Sequence, residues 1–454
     1  MTNSSTANTG SSYWWRSLTP QHWFVYITCS MAWLFDSVDQ QLFNLARDAA
    51  VEDLLGDKAL ATVYAPYTTS VFLVGWAIGG LVFGALGDRY GRAKMLTISV
   101  LLYSICTGLS AFATDYFQFN CFRLVTGIGV GGVFGLAVAL ITDTLPNQAR
   151  SPALGLLQGL SLWGNMAAGA IGMAVGMAAA VGALPGNLAP WQILFLVGAA
   201  PAVLSLLIFR YLKEPQTWLD ARAEGQRNGI KFGSYSALLG HKRWRRHAWL
   251  GLALCSAGII GLWGIGNFHP KIVRSIVETH LAAQALSESA LAAEKAYWSS
   301  LGLILQNAGG FFGMMFLAWF AQRYGRKPAF ALGLILSFST TLLVFIAMRD
   351  ISDIYWMIPI MGFGQLSVFA LYAIYLPELF PMSLRSTGVS FCYNLGRLVA
   401  ASAPITIGLI TQQLGSNIEG FRTAGICVSL VLLLGLLALP FLPETKDKPL
   451  PNED

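Results

Sequence analysis

The sequence predicts an all-α integral membrane protein with twelve transmembrane helices. Of its 454 residues, 55% are hydrophobic and only 11% are charged, whereas about a quarter of the residues in soluble globular chains are charged. Apolar stretches of about 20 residues, the length that crosses a bilayer as a helix, recur along the chain. The longest polar interruption, at residues 213–246, is too short to form an independent soluble core.

The predicted spans follow one another from residue 22 to residue 442. We place them at residues 22–46, 63–87, 94–113, 116–142, 152–181, 191–212, 247–269, 297–322, 328–349, 354–378, 386–413 and 419–442. An even number of spans puts both termini on one side of the membrane. Most of the Lys and Arg residues lie in the loops of that side, which the positive-inside rule identifies as the cytoplasm. We therefore expect a multi-pass protein of the cell membrane with both termini cytoplasmic.

The spans divide the chain into five predicted regions. Two six-helix bundles, residues 22–212 and 247–442, are flanked by cytoplasmic tails at residues 1–21 and 443–454. A basic linker, residues 213–246, is expected to lie on the cytoplasmic membrane face, either as a solvated connection or as a brace for a gate. Segment 270–296 is predicted to form a short external helix.

Several other classes of protein are excluded by the residue pattern. The six cysteines lie in apolar stretches without a CxxC pair, which argues against a disulfide frame and a metal site. The net charge of +6 does not indicate nucleic acid, because membrane proteins concentrate cations on the cytoplasmic side. The polar start of the chain lacks a signal-peptide pattern. The glycines between Gly127 and Gly132 lie in an apolar helix without a P-loop Lys, so they indicate close helix packing. No cofactor, ATP site or catalytic constellation is expected.

The two halves of the chain repeat each other at an offset near 235 residues. The matched pairs are segments 88–92 and 322–326, Gly127 and Gly362, Gly129 and Gly364, Asp143 and Glu378, Pro146 and Pro381, and Arg150 and Arg385. Several matches in the same order indicate duplication. Parallel repeats imply a pseudo-two-fold axis along the membrane normal, with a substrate site near the midplane between the halves.

These motifs resemble those of the major facilitator superfamily. The segment from Gly84 to Lys94 resembles the family's loop signature between spans 2 and 3, and the segment from Arg123 to Gly129 resembles its span 4 motif. Segments 376–385 and 443–445, together with Glu214 and Pro215, resemble the branch that holds sugar porters and organic-acid:proton symporters. The second half departs from the loop signature at Gln322, where the acid would stand, so a strong clamp is expected in the first half only.

Charged residues within spans are the first functional candidates, because a charge in the bilayer is costly. Asp36 and Asp39 share a face of span 1, and helix rise places them at a depth similar to that of Arg123 in span 4. The resemblance implies proton coupling by a span 1 acid and a span 4 arginine. A purely structural ion pair is the alternative, and the sequence does not choose between the two aspartates.

A second group of candidates is predicted to bind substrate. Arg397 lies near the midplane of span 11, and its guanidinium fork matches a carboxylate; helix packing is the alternative. Asn394 is three residues before it. Further candidates, each also explicable as an interhelical hydrogen bond or interface anchor, are Gln365, Gln306, Asn307, Asn165, Trp263 and Tyr67.

A third group is predicted to gate the cytoplasmic side. In the family the loop clamp stabilises the outward-facing state. In this chain Asp143, Arg150, Glu378 and Arg385 are expected to form a cytoplasmic salt-bridge lattice that breaks on inward opening. Topology-setting charge alone is the alternative. The gating candidates are Gly84, Asp88, Arg89, Gly91, Arg92, Asp143, Arg150, Glu378 and Arg385.

The resemblance implies a secondary active transporter that works by alternating access. We expect proton-coupled symport of a small organic anion, a monocarboxylate or an aromatic acid, by a monomer in the lipid bilayer. A sugar or polyol:proton symporter is the first alternative, although the Gln-Gln pair usual in sugar-porter span 7 is missing at residues 255–261. A non-transporting membrane sensor is an alternative of another class.

Overall fold

The computed structural model describes residues 13–180, 182–186, 188–203, 211–261, 269–281, 288–400, 402–414 and 417–452. These residues form α-helices joined by short turns and 3₁₀ segments. In chain order the helices are α1 Pro20–Leu55, α2 Lys58–Tyr90, α3 Arg92–Ser110, α4 Tyr116–Thr144, α5 Asn147–Ala180, α6 Pro190–Gly198, α7 Gln216–Arg227, α8 Tyr235–Gly240, α9 Lys242–Ile259, α10 His269–Leu281, α11 Glu288–Tyr324, α12 Arg326–Ala347, α13 Ile351–Tyr375, α14 Arg385–Ala400, α15 Ala403–Gln413 and α16 Ile418–Leu434.

Eight segments of the described chain are long and apolar enough to cross a membrane. They are Tyr64–Tyr90, Arg92–Ser110, Tyr116–Thr144, Asn147–Ala179, Tyr297–Tyr324, Arg326–Ala347, Ile351–Leu379 and Ile418–Phe441. They coincide with eight of the twelve predicted spans. The predicted spans 1, 6, 7 and 11 are not among them: α1 carries several charged residues, and spans 6, 7 and 11 include undescribed residues.

Span 11 was predicted as one helix at 386–413, and its residue 401 lies outside the described residues. Helix α14 is described to Ala400, Ser402 lies in a turn, and α15 begins at Ala403 with a proline in its first turn. Arg397 lies in the last turn of α14 as described. The predicted external helix is α10, and α11 begins nine residues before the predicted span 8.

Helices α3 and α12 begin in the same way in the two halves. Each follows a glycine with positive φ, +117° at Gly91 and +113° at Gly325, a conformation that L side chains rarely adopt. The Glu214 carboxylate accepts the N–H groups of the first turn of α3, and Glu444 accepts those of α12. Burial opposes ionisation of Glu444, but these N–H donors hold its pKa below the usual range. Each half is thus braced by an acid that follows its last span.

Helices α1–α6 pack on one another, as do α9–α16, and the two groups meet mainly through α2 with α14 and α5 with α11. At Gly84 of α2 a Cβ would lie only 2.5 Å from the Cβ of Ser390 in α14, so only glycine permits this approach. The linker packs on both groups: Trp218 is buried, Tyr235 donates to Leu81 O, and Gly233 N donates to Ser383 O. This packing favours the brace over the solvated connection.

Candidate functional site

A polar cavity of about 410 Å³ lies between the two groups of helices. Its first wall comes from α1, α2 and α5, and its second from α10, α11, α13 and α14. Asp36 and Arg397 are its charged lining residues, apart from His269, among the residues that the structure describes. Aromatic rings of Trp33, Trp76 and Tyr393 line it as well. The cavity therefore combines one cation, one acid and flat apolar surfaces.

The Arg397 guanidinium lies over two aromatic rings. Its Cζ lies 3.7 Å from the ring centre of Trp76, in the other half, and 4.7 Å from that of Tyr393. Its Nη2 donates to the Tyr393 hydroxyl at 3.3 Å, and the Tyr393 ring stacks on Phe134 of α4 at 4.0 Å. Cation–π contacts and this hydrogen bond restrict the position of the guanidinium. Such an arrangement can present a donor fork to a planar carboxylate.

The two aspartates of α1 face different arginines. Asp36 lines the cavity and lies within electrostatic range of Arg397. Asp39 is not among the lining residues and lies within range of Arg123. It contacts α6, where a Cβ on Gly198 would lie 2.9 Å from Asp39 Oδ1. Asp36 and Asp39 are about one helical turn apart, but Asp36 lines the cavity and Asp39 lies inside the first group of helices.

Arg123 is fully buried in α4. Its Nε and Nη2 donate to Ser110 Oγ at 3.1 and 2.7 Å, and Nη2 also donates to Thr126 Oγ1 at 3.1 Å. Its Cζ lies 4.7 Å from the ring centre of Phe195. Because hydroxyls and rings hold the guanidinium, the nearby Asp39 supplies charge balance without a direct hydrogen bond.

Four other predicted binding residues lie at the cavity or directly behind its lining. Asn165, Gln306 and Asn307 line the cavity, and Asn165 Nδ2 donates to Asn307 Oδ1 across the halves at 3.2 Å. Gln365 lies behind this wall, donating to Thr341 Oγ1 at 2.6 Å and accepting from Gln306 at 3.5 Å.

Three further predicted binding residues are not among the described residues that line this cavity. Asn394 packs on Gly80 of α2 and lines a smaller cavity of about 130 Å³, which shares Trp76 and Arg397 with the first. Tyr67 is exposed beside Tyr64. Trp263 lies outside the described residues. Substrate binding by these residues stays a prediction.

Sequence reasoning missed much of the α1 wall. Gln40, Gln41 and Asn44 line the cavity on the same side as Asp36. Gln40 follows Asp36 by four residues, and Asn44 follows Gln40 by four and Gln41 by three, which is the spacing of one helix face. This polar periodicity within an apolar span was a usable signal. His269, at the start of α10, had no such signal because it stands at the predicted end of span 7.

One face of the protein, the terminal face where α1 begins and α2 ends, is closed by a charged lattice. The Asp88 carboxylate accepts Ser386 N at 3.1 Å and Thr387 N at 2.8 Å, at the start of α14 in the other half. Arg92 Nη2 donates to Asp88 at 2.9 Å. Asp143 forms ion pairs with Arg92 and, across the halves, with Arg385.

The second half contributes a different pair to this face. Glu378 binds Arg326 at 2.7 Å, and Arg326 Nη2 also donates to Ser151 Oγ of the first half at 2.8 Å. Gln322, at the position equivalent to Asp88, donates to Gln148 O at 3.2 Å. Arg150 donates to Leu145 O at 2.9 Å. Arg89 is exposed with its guanidinium over Tyr90, and its place in the clamp stays a prediction.

Replacing Asp88 by asparagine is expected to favour opening of the terminal face by about 1–3 kcal/mol, because a buried carboxylate with N–H and guanidinium donors loses its charge. The measurement is the distance distribution between spin labels on exposed positions of the two halves. Gln322→Ala is the matched control: it removes one exposed hydrogen bond between the halves and should shift the distribution far less than Asp88→Asn. Equal distributions for Asp88→Asn and the wild type would contradict a latch at Asp88.

Comparisons with known proteins show that this chain is similar in sequence to transporters. Residues 21–232 match a family model described as sugar (and other) transporter, and residues 281–454 match one described as Major Facilitator Superfamily. A cis,cis-muconate transport protein of Acinetobacter baylyi is 28% identical, with 93% of this chain and 95% of the relative covered. A probable 4-methylmuconolactone transporter of Cupriavidus pinatubonensis is 26% identical, with 95% and 93% covered.

A solved structure shares the fold. The proton:xylose symporter XylE, bound to 6-bromo-6-deoxy-D-glucose, superposes with a TM-score of 0.74 over 96% of this chain and 98% of its own, at 17% identity. At this identity the likeness concerns the arrangement of helices. The residues in the cavity must therefore be interpreted from this chain itself.

Proposed function

Since this chain belongs to the major facilitator superfamily and is a secondary transporter rather than an enzyme, we propose that it carries a small organic anion together with a proton. The observation that carries this proposal is the Arg397 guanidinium, which lies over the rings of Trp76 and Tyr393 in a chamber shared by both halves. The carboxylate of a substrate can accept hydrogen bonds from this guanidinium, and the flat apolar part of the substrate can pack on the rings. Relatives named for muconate and methylmuconolactone transport support this class of substrate.

The proton site in this proposal is Asp36. Asp36 and a bound carboxylate share one cation, Arg397, so two negative charges compete for it. Protonation of Asp36 removes that competition, and each ligand then favours the binding of the other. A proton that enters with a monoanion makes transport electroneutral. Because both acids interact with Arg397, the binding of the proton and the binding of the substrate are coupled in this proposal.

Asp39 and Arg123 have a different role in this proposal. Both are buried within the first group of helices and lie outside the chamber lining. Removing either partner would leave an uncompensated charge among apolar residues. We assign this pair to holding α1, α4 and α6 together while the two halves move.

Alternating access in this proposal is a rocking of two six-helix halves, residues 22–212 and 247–442, in a monomer. The terminal face is assigned to the cytoplasm of the cell membrane, with both chain termini on that side. The closed lattice around Asp88 and Asp143 then corresponds to the outward-facing state. Its loss on inward opening would expose the chamber to the cytoplasm.

Transport in proteoliposomes tests the proposal. Acid outside and neutral buffer inside should drive uptake of radiolabelled benzoate or cis,cis-muconate above the level reached without a pH gradient. Competition by a panel of carboxylates and sugars identifies the class of substrate. Inhibition by xylose or polyols, with none by carboxylates, would replace the proposal with a sugar porter.

A further inference from the structure

A second cavity, of about 520 Å³, lies at the terminal face, away from the transport chamber. One wall is the start of α9 and the residue before it, which contribute His241, Lys242, Arg243, Arg246 and His247. The other wall is the segment 441–443, which follows α16. Neither wall contributes to the Asp88 lattice or to the chamber around Arg397.

The lining of this cavity is basic on one side and apolar on the other. Lys242, Arg243 and Arg246 carry permanent charges, and no acid is among the described lining residues. Glu444, next along the chain, is bound by the N–H groups of Arg326 and Lys327. The cavity therefore presents a positive field to an anion at the level of the membrane surface.

An apolar track leads from the cavity along the last span. Phe441 is exposed, with the Arg246 guanidinium 5.9 Å from its ring centre. Three more exposed side chains continue from Phe441 at helical spacing: Leu437, Leu434 and Leu430. Lipid-facing leucines are ordinary for a span, but here the track ends at a cationic cavity.

We propose that this cavity binds the phosphate headgroup of an anionic phospholipid, with the acyl chains along the track from Phe441 to Leu430. Arginine forks and a lysine match phosphate oxygens, and basic pockets at the ends of spans bind anionic lipid headgroups. The bound lipid joins the end of the linker to the end of the second half. This inference is independent of the substrate and of the proton site.

The test titrates the purified, delipidated full chain with dioleoylphosphatidylglycerol and follows the melting temperature and native mass spectra. The lipid should bind and stabilise the wild type, whereas dioleoylphosphatidylcholine should not. Each lost cation should weaken binding about fivefold, so Lys242→Gln with Arg246→Gln should need much more lipid. Arg245→Gln is the matched control, because Arg245 is exposed on the same helix and does not line the cavity.

Three results would overturn the proposal. The first is an equal response of the double variant and the wild type to the anionic lipid. The second is equal stabilisation by phosphatidylcholine. The third is stabilisation by inorganic phosphate at the same concentrations, lost in the same variant, which would identify a site for a free anion. Arg246→Lys keeps the charge with a smaller change in packing and should retain most of the lipid response; loss of that response would contradict a charge-driven site.

Discussion

Replacing Arg397 by alanine is expected to weaken the binding of carboxylate substrates about 100-fold or more. The substitution removes the proposed cation of the chamber and leaves Asp36 and the substrate carboxylate without a partner. Truncating one member of a desolvated charge pair costs about 2–5 kcal/mol. The measurement is the carboxylate concentration that gives half-maximal thermal stabilisation. Arg397→Lys should fall between alanine and wild type, because it keeps the charge and loses the fork.

A buried arginine outside the chamber is the matched control. Arg422 is 4% exposed and donates to the carbonyl oxygens of Phe345 and Met348. Arg422→Ala should lower the melting temperature of the protein without changing its affinity for carboxylates. If carboxylates stabilise Arg397→Ala and the wild type at the same concentrations, Arg397 is not the anion site.

Replacing Asp36 by asparagine is expected to separate substrate movement from the proton. Asparagine resembles the protonated acid in shape and charge, so the chamber should bind anions at any pH. Counterflow of labelled substrate between equal concentrations should persist, and accumulation driven by a pH gradient should fall to the background. Full acid-driven accumulation by Asp36→Asn would remove Asp36 as the proton site.

Asp39→Asn should give the opposite pattern. It leaves Arg123 without its acid in the interior of the first half, which is expected to cost about 3–5 kcal/mol of stability. The melting temperature should fall sharply, while the carboxylate affinity of the protein that remains folded should change little. If Asp39→Asn is stable and loses only pH-driven accumulation, the roles assigned to the two aspartates are reversed.

The sequence predicted much of the fold because membrane spans depend on local composition. The residues that mark the repeat, such as Gly91 and Gly325, correspond to equivalent helix starts in the structure. The turn at Ser402, before α15, was not predicted, since the apolar run continues through it. A proline follows it in the sequence, but proline also occurs within α2 and α13 without dividing them.

The site was only partly predictable because it depends on helix rotation and on contacts between distant spans. Asp36 and Asp39 were placed on one helix face, yet a small rotation assigns them to different arginines. Asn394 and Arg397 both lie against α2, yet only Arg397 reaches the polar cavity between the two groups of helices. Asp143 and Arg385 were both predicted to belong to the cytoplasmic salt-bridge lattice, but their direct pairing over 242 positions follows from the packing of the two halves and not from a local pattern.

The paired glutamate braces bear on how the protein tolerates the loss of a support. Glu214 and Glu444 hold the starts of α3 and α12 in the same manner, so this support exists in two copies. Asp88 and Gln322 stand at equivalent positions and differ, so the acid of the latch stands in the first half alone. The loss of that acid therefore has no equivalent residue to compensate for it.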